Sequence, residues 1–225
     1  MFPYSEDKIT LYTAKICPFA HRAVLALEEA NVPYEPVLID LGNKPDWYTQ
    51  VNPASKVPAM RLPNGEIMVE SMLIVEYICE QYPEAKLMPS SAFDRYKARL
   101  LIDFFGNNML ALPYRLLGAS SNETAKNEIY ATIIEKLHEL NNRLVANSAE
   151  GPYFFGNHFT AADIAIIPFI ERTDMALRML GLQFENLPGL DRYYAWKAAC
   201  KARPSYSSTV ASFEELNIAY KKYMK

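Results

Sequence analysis

The chain has 225 residues, of which half are hydrophobic and 22% are charged, and its formal net charge is −3 at pH 7. This length and composition suit a globular protein of one large or two modest domains. The small net charge argues against nucleic acid as a partner. The first residues lack the pattern of a secretory signal, and no apolar run reaches the roughly 20 residues that span a bilayer. We therefore expect a cytoplasmic protein without stable membrane insertion.

The three cysteines, Cys17, Cys79 and Cys200, are odd in number and far apart in sequence. This spacing argues against a disulfide framework and against a zinc cluster. We expect three free thiols and no metal site. Cys79 and Cys200 fall on predicted helical faces, where a cysteine usually serves as a packing residue.

The first part of the chain alternates strands and helices. Residues 9–13 form a short β-rich run, and the helical pattern that starts at Pro18 ends at Asn31-Val32-Pro33. Residues 34–41 read as a second strand, parallel to the first through a right-handed crossover. This predicts a βαβ unit.

An irregular region at 43–52 precedes a predicted hairpin. Residues 59–62 and 66–69 flank Pro63-Asn64-Gly65, and Asn-Gly favours a tight turn. Ser71 then stands where a helix N-cap belongs, and an apolar helical face continues to Tyr82. The order of elements is therefore βαβ followed by ββα.

The rest of the chain is predicted to be helical. The region around Pro83 and Pro89 loses periodicity, so we place a linker at 84–91 between an α/β domain at 1–83 and an all-α domain at 92–225. The predicted helices lie at 92–117, 123–146, 161–180, 189–202 and 211–223. Thr160 and Asp163 form a predicted capping box, which gives Asp163 a structural role.

Cys17 is the first candidate for a catalytic residue. A proline at the first helical position makes the residue before it the N-cap, and Pro18 therefore places Cys17 there. The sulfur would face unpaired N–H groups and the positive end of the helix dipole, which both favour the thiolate. The sequence thus predicts a reactive cysteine. His21, four residues later, is a partner of this thiol, a metal ligand or a helix-surface residue. Because no other ligands cluster nearby in sequence, we favour the helix surface.

Two further signals mark a binding site. A cis Val57–Pro58 bond would turn the Val57 backbone outward to pair with an extended peptide ligand, whereas a trans bond would leave an ordinary loop proline. Glu70-Ser71 lies at a strand-to-helix junction, where exposed N–H groups bind a carboxylate readily. Either signal alone is also compatible with a purely structural role.

The three signals in this order resemble the glutathione transferase superfamily over nearly the whole chain. Cys17-Pro18-Phe19 with His21-Arg22 is similar to its cysteine-type members, especially the omega class, and Asn43-Lys44-Pro45-Asp46-Trp47 resembles the omega pattern. The resemblance implies a thioredoxin-like glutathione-binding domain and a helical domain that contributes the acceptor-substrate pocket. Members usually form homodimers, but cysteine-type members include monomers, so both states stay open.

The resemblance also assigns roles to residues. Cys17 would form a mixed disulfide with glutathione, and Phe19 would contribute its backbone near the sulfur. Val57, before Pro58, would pair with the cysteinyl backbone, while Glu70 and Ser71 would hold the γ-glutamyl end. The remaining two residues, Lys44 and Lys56, would meet the glycine carboxylate.

The implied activity follows from a cysteine in place of a tyrosine or serine. A cysteine attacks glutathionylated substrates and is regenerated by a second glutathione, so the resemblance implies thiol transfer, deglutathionylation and dehydroascorbate-type reduction. Conjugation of small hydrophobic electrophiles, as in detoxification, would be weak. One alternative is a non-catalytic carrier or regulatory protein of the same fold. Two others are less favoured. A chloride-intracellular-channel type protein shares Cys-Pro-Phe, but the first domain here has no long apolar stretch. A glutathionyl-hydroquinone reductase usually has tryptophan where Phe19 stands and a longer chain.

Overall fold

The computed structural model describes residues 2–225, which divide into two compact units. The first unit takes the chain up to Met88 together with Pro204–Val210, and the second takes Pro89–Arg203 together with Ala211–Lys225. The prediction gave the whole of 92–225 to one helical domain. The structure differs from it at Pro204–Val210, which belongs to the first unit.

The first unit has the predicted βαβ-ββα order. Its elements are β1 (Ile9–Thr13), α1 (Pro18–Glu29), β2 (Tyr34–Leu38), α2 (Tyr48–Val51), β3 (Ala59–Arg61), β4 (Ile67–Val69), α3 (Ser71–Gln81) and, from the end of the chain, α9 (Pro204–Ser207). A short 3₁₀ turn at Pro83–Ala85 follows α3.

The sheet has the strand order β2-β1-β3-β4. The strands β1 and β2 are parallel, whereas β1 with β3 and β3 with β4 are antiparallel. All five residues of β1 are buried, as expected for an inner strand. The register pairs Thr13 with Leu38, so β2 ends where its partner ends, three residues earlier than predicted.

The predicted hairpin between β3 and β4 is present. The Leu62 N–H donates to the Glu66 carbonyl at 2.8 Å, and the Gly65 N–H donates to the Leu62 carbonyl at 2.9 Å. Gly65 has φ +97°, a conformation that glycine adopts without steric cost. The turn chemistry therefore acts as the sequence predicts.

The segment Pro204–Val210 packs on α1. The His21 and Tyr206 rings have their centroids 5.3 Å apart, and His21 Nε2 lies 2.9 Å from Thr209 Oγ1. The Ser205 hydroxyl also bonds the Glu29 carboxylate. His21 is buried, so the prediction of a helix-surface histidine is wrong, because α9 covers that face of α1.

The second unit is helical, as predicted. Its helices are α4 (Ala92–Asn108), α5 (Leu112–Gly118), α6 (Glu123–Asn147), α7 (Ala161–Met179), α8 (Asp191–Ala202) and α10 (Phe213–Tyr220), and a 3₁₀ turn follows at Lys221–Tyr223. Within residues 2–225, no helix is long and apolar enough to cross a membrane.

One predicted helix, at 92–117, is two helices in the structure. The helix α4 ends at Asn108, and α5 begins at Leu112 with Pro113 in its first turn. Proline has no N–H and clashes with the carbonyl four residues earlier, so a helix breaks before it and restarts with it.

The capping box at the start of α7 is confirmed. The Asp163 carboxyl accepts hydrogen bonds from the Thr160 N–H at 2.9 Å, the Thr160 hydroxyl at 3.2 Å, the Phe154 N–H at 3.0 Å and Trp196 Nε1 at 2.8 Å. Burial raises the pKa of this carboxyl, and the four bonds oppose that rise because they stabilise its ionised form. Asp163 therefore joins α7, α8 and the preceding loop.

Candidate functional site

Cys17 occupies the N-cap of α1, as predicted. Its backbone is extended, with φ −88° and ψ 118°, and Pro18 is the first helical residue. The Cys17 carbonyl accepts the N–H of His21 at 3.0 Å, which starts the helix. The partly exposed thiol thus stands at the positive end of the α1 dipole.

The Val57 backbone lies against this thiol. The Val57–Pro58 peptide bond is cis, as predicted. The distance from Cys17 Sγ to the Val57 carbonyl oxygen is 3.9 Å. Because β1 and β3 are neighbouring strands, the loop that precedes β3 lies next to the start of α1, which follows β1.

The start of α3 differs from the prediction by one residue. Glu70 is the N-cap, and Ser71 is the first residue of the helix. Glu70 has φ +68° and ψ 110°, which is a sparsely populated conformation for a residue with a side chain. Strain of this kind, worth about 1–3 kcal/mol, persists where the surrounding structure enforces it and is common at functional sites.

These segments enclose a cavity of about 330 Å³ in the first unit. The volume lies in the range of small-molecule sites. The lining residues are Cys17, Phe19, Leu41, Lys44, Asn52, Ser55, Lys56, Val57, Pro58, Glu70 and Ser71. All eight predicted site residues line this one cavity.

Three lining residues, Leu41, Asn52 and Ser55, are absent from the predicted set. Of these, Asn52 had a sequence signal, because asparagine side chains often bond their own turn. Its Oδ1 accepts the N–H of Ala54 at 3.0 Å. Leu41 is the last residue of the predicted second strand, and Ser55 lies two residues before Val57; neither had a binding signal of its own.

Arg22 is a buried cation next to the residues that line the cavity. The sequence alone predicts no separate role for it. Its Nη1 lies 3.3 Å from the Ser71 Oγ, and its guanidinium carbon lies 5.6 Å from the centre of the Phe19 ring. Burial lowers its pKa to about 10, and the interaction with Cys17 opposes this fall. Arg22 therefore stays protonated at neutral pH and contributes a fixed positive charge.

The exposed groups at the cavity add further charge. Lys44, Lys56 and Glu70 all line the cavity with exposed side chains. Together with Arg22 the site has three cationic groups and one carboxylate. This balance favours a ligand that is anionic overall and also carries a cationic group.

The other sequence candidates lie elsewhere. His21 contacts α9 and is absent from the cavity lining, while Cys79 and Cys200 are buried. Among residues 2–225, no cluster of three or more His, Cys, Asp or Glu side chains is arranged to hold a metal ion. Cys17 is thus the cysteine of this chain that lines the cavity.

Comparison with known proteins identifies the family. Residues 11–86 match the family model of the glutathione S-transferase N-terminal domain, and residues 125–195 match that of the C-terminal domain. The chain belongs to the glutathione transferase superfamily. Both the resemblance seen in the sequence and the predicted fold class are therefore confirmed.

The relatives include omega-class proteins that match over most of the chain. The rat glutathione S-transferase omega-1 is 29% identical over 209 residues, which cover 92% of this chain and 82% of the relative. The probable glutathione S-transferase DHAR1, cytosolic, of Oryza sativa subsp. japonica is 29% identical over 206 residues, covering 89% and 86%. The crystal structure of glutathione transferase Omega 1C from Trametes versicolor has 30% identity and a TM-score of 0.79, with 96% of both chains covered.

The chain is therefore a glutathione transferase enzyme that uses glutathione as its co-substrate. The similarity to omega-class members extends over both units.

Proposed function

We propose that this glutathione transferase is a thiol transferase and reductase that works through a mixed disulfide on Cys17. The observation that carries the proposal is a cysteine at the N-cap of α1, partly exposed and lining the cavity. A helix N-terminus favours the thiolate, which is the nucleophilic form. The nearby Arg22 cation acts in the same direction.

The chemistry has two exchange steps. The Cys17 thiolate attacks the glutathionyl sulfur of a substrate RS–SG, so that a Cys17–glutathione disulfide forms and RS⁻ leaves and takes a proton. The thiolate of a second glutathione then attacks the glutathionyl sulfur of the enzyme disulfide. This step releases glutathione disulfide and restores Cys17. In dehydroascorbate-type reduction, the two electrons and two protons come from two glutathione molecules.

Glutathione itself matches the charge balance of the cavity, because it has two carboxylates and one ammonium group. In our assignment, Glu70 and Ser71 bind the γ-glutamyl end, and Lys44 with Lys56 bind the glycine carboxylate. The Val57 backbone, held before Pro58, pairs with the cysteinyl residue, and the Phe19 backbone lies near the sulfur. All of these residues line the cavity.

The proposal extends to the second substrate and the cellular setting. Substrates are glutathionylated thiols and small oxidised or hydrophobic compounds, and we assign their recognition to the helical unit. Conjugation of electrophiles is a weak side activity, because Cys17 stands where tyrosine-type and serine-type relatives have a hydroxyl donor. The rice relative's name places it in the cytosol, and the cytoplasm is the compartment that we assign.

The proposed assembly is a homodimer. On α4 the side chains of Phe93, Tyr96 and Leu100 are 66%, 55% and 44% exposed. Their spacing of three and four residues puts them on one face of the helix. Where the rest of a helix's exposed surface is polar, an apolar stripe of this kind is typical of a protein–protein contact. A second copy of this chain is the partner that we assign.

The test substitutes serine for Cys17. Glutathione disulfide should add one glutathionyl unit to the wild type and none to Cys17→Ser, as measured by intact mass. Thiol transfer and dehydroascorbate reduction should fall steeply in the variant, because serine forms no disulfide. Conjugation to chlorodinitrobenzene should hold or rise, because a hydroxyl can still hydrogen-bond the glutathione sulfur.

Both rates are measured in wild type and variant at one glutathione concentration. Undiminished thiol transfer in Cys17→Ser would show that Cys17 is not the nucleophile. A protein that binds glutathione but shows no Cys17-dependent rate would instead be a carrier.

A further inference from the structure

The peptide group between Lys56 and Val57 is held from one side by two buried side chains. The Lys56 carbonyl accepts a hydrogen bond from the Tyr48 hydroxyl at 2.8 Å and another from Asn52 Nδ2 at 2.7 Å. Both donors are buried. Both lone pairs of this carbonyl are thus engaged on the protein side.

The local structure brings the two donors together. Tyr48 opens α2, and Asn52 follows its last residue, so that the Asn52 N–H donates to the Tyr48 carbonyl at 2.9 Å. Side chains four residues apart lie on the same face of a helical turn. Asn52 is itself fixed, because its Oδ1 accepts the Ala54 N–H. The four-residue helix α2 therefore presents a two-point clamp to one carbonyl.

The clamp also fixes the direction of the Val57 N–H. Among residues 2–225 the cis peptide bond is at Val57–Pro58, and the Lys56–Val57 bond is trans. In a planar trans peptide group the C=O and N–H point in opposite directions. Since the carbonyl is held towards buried side chains, the N–H is turned away from them. Within the described part of the chain it donates to no protein acceptor, and Val57 lines the cavity.

We infer that Tyr48 and Asn52 are positioning residues that aim the Val57 N–H at the cysteinyl backbone of bound glutathione. This inference rests on the proposed glutathione site. A single hydrogen bond would leave the peptide group free to tilt about its flanking dihedrals, whereas two donors hold it in one orientation before the ligand arrives. Preorganisation of this kind improves affinity because less ordering is needed on binding.

The clamp works over a wide pH range. Burial raises the pKa of Tyr48, and the interactions with Cys17 and Tyr12 act in the same direction. The Tyr48 hydroxyl therefore keeps its proton and remains a donor at neutral pH.

The experiment compares Tyr48→Phe with a matched control, Tyr12→Phe. Both tyrosines are fully buried in the first unit, and the Tyr12 hydroxyl also donates to a backbone carbonyl, that of Pro3, at 2.8 Å. Tyr12 does not line the cavity. Each variant loses one oxygen atom and one hydrogen bond of the same kind, so only the place of the bond differs.

The probe is S-methylglutathione, which binds without thiol exchange, measured by calorimetry on the full chain. Loss of one of two bonds to the carbonyl should raise its Kd about three- to tenfold in Tyr48→Phe. Tyr12→Phe should stay within about twofold. In turnover assays Tyr48→Phe should raise KM for glutathione by a similar factor and change kcat less. The Val57 amide, followed by ¹⁵N NMR, should shift less on binding than in the wild type.

A second variant, Asn52→Asp, keeps the acceptor for the Ala54 N–H and replaces the amide donor. It should weaken binding at least as much as Tyr48→Phe, and it serves as the test should Tyr48→Phe not fold. Unchanged affinity in these variants, or equal losses in Tyr48→Phe and Tyr12→Phe, overturns the positioning role and leaves the proposed function standing. Absence of S-methylglutathione binding by the wild type overturns both.

Discussion

Replacement of Asp163 tests the four hydrogen bonds that its buried carboxyl accepts in the helical unit. The Asn variant keeps Oδ1, now an amide oxygen, as the acceptor for the Phe154 N–H and Trp196 Nε1. It loses Oδ2, which accepts both donors of Thr160. The Ala variant loses all four bonds and leaves their donors unsatisfied in the interior.

The four bonds set the expected loss of stability. A hydrogen bond to a charged group contributes about 1.5–3 kcal/mol, and the Thr160 hydroxyl can rotate to accept from the new amide. We therefore expect Asp163→Asn to lower the free energy of unfolding by about 2–3 kcal/mol. Asp163→Ala should lower it by about 4–5 kcal/mol, at the upper end for single substitutions. Added separately, the four bonds would give more, but neighbouring contacts are not additive.

Urea unfolding is the assay, with tryptophan fluorescence as the signal. The two tryptophans, Trp47 and Trp196, lie in different units, so a Trp47→Phe background isolates the helical unit. Asp103→Asn, an exposed position on α4, is the control and should change stability by less than about 0.5 kcal/mol. A change that small in Asp163→Asn would refute the reasoning that the four bonds stabilise the fold.

Two further outcomes are expected. Lys44→Ala should raise KM for glutathione by up to about fivefold at low salt, because an exposed ion pair contributes about 0.2–1 kcal/mol and salt screens it. Lys8→Ala, also exposed in the first unit, should have no effect, and equal KM values for the two variants would contradict the role of Lys44. In sedimentation velocity the wild type should be a dimer and Tyr96→Glu a monomer, because a charge interrupts the α4 stripe. Val145→Glu, at an exposed apolar position of α6, is the control, and a monomeric wild type or a dimeric Tyr96→Glu would exclude this interface.

Features governed by local chemistry were predictable from the sequence. Pro18 placed Cys17 at an N-cap, and Asn64-Gly65 placed the hairpin, because both follow from the backbone preferences of a few adjacent residues. The N-cap of α3 was predicted one residue too late, at Ser71. The N-cap is Glu70, which adopts a positive φ, although a hydroxyl side chain is generally preferred at this position.

Features that depend on distant parts of the chain were not predictable. Arg22 reads as a polar residue in an amphipathic helix, and only the fold shows that it is buried against Ser71. Likewise, Tyr48 stands in a stretch without periodicity, and its bond to the Lys56 carbonyl requires the loop to turn back on α2. In both cases the sequence shows the residue type, whereas the partner is set by tertiary structure.

Pro204–Val210 belongs to the first unit although it follows most of the helical unit in sequence, and this affects the order in which the units fold during synthesis. Domains generally fold as units as the nascent chain emerges, the N-terminal one first. Here the first unit is discontinuous, and the residues that cover His21 on α1 are translated after nearly the whole helical unit. The first unit therefore reaches its final packing only after most of the helical unit has been translated, and a nascent chain that stops before residue 204 leaves this face of α1 uncovered.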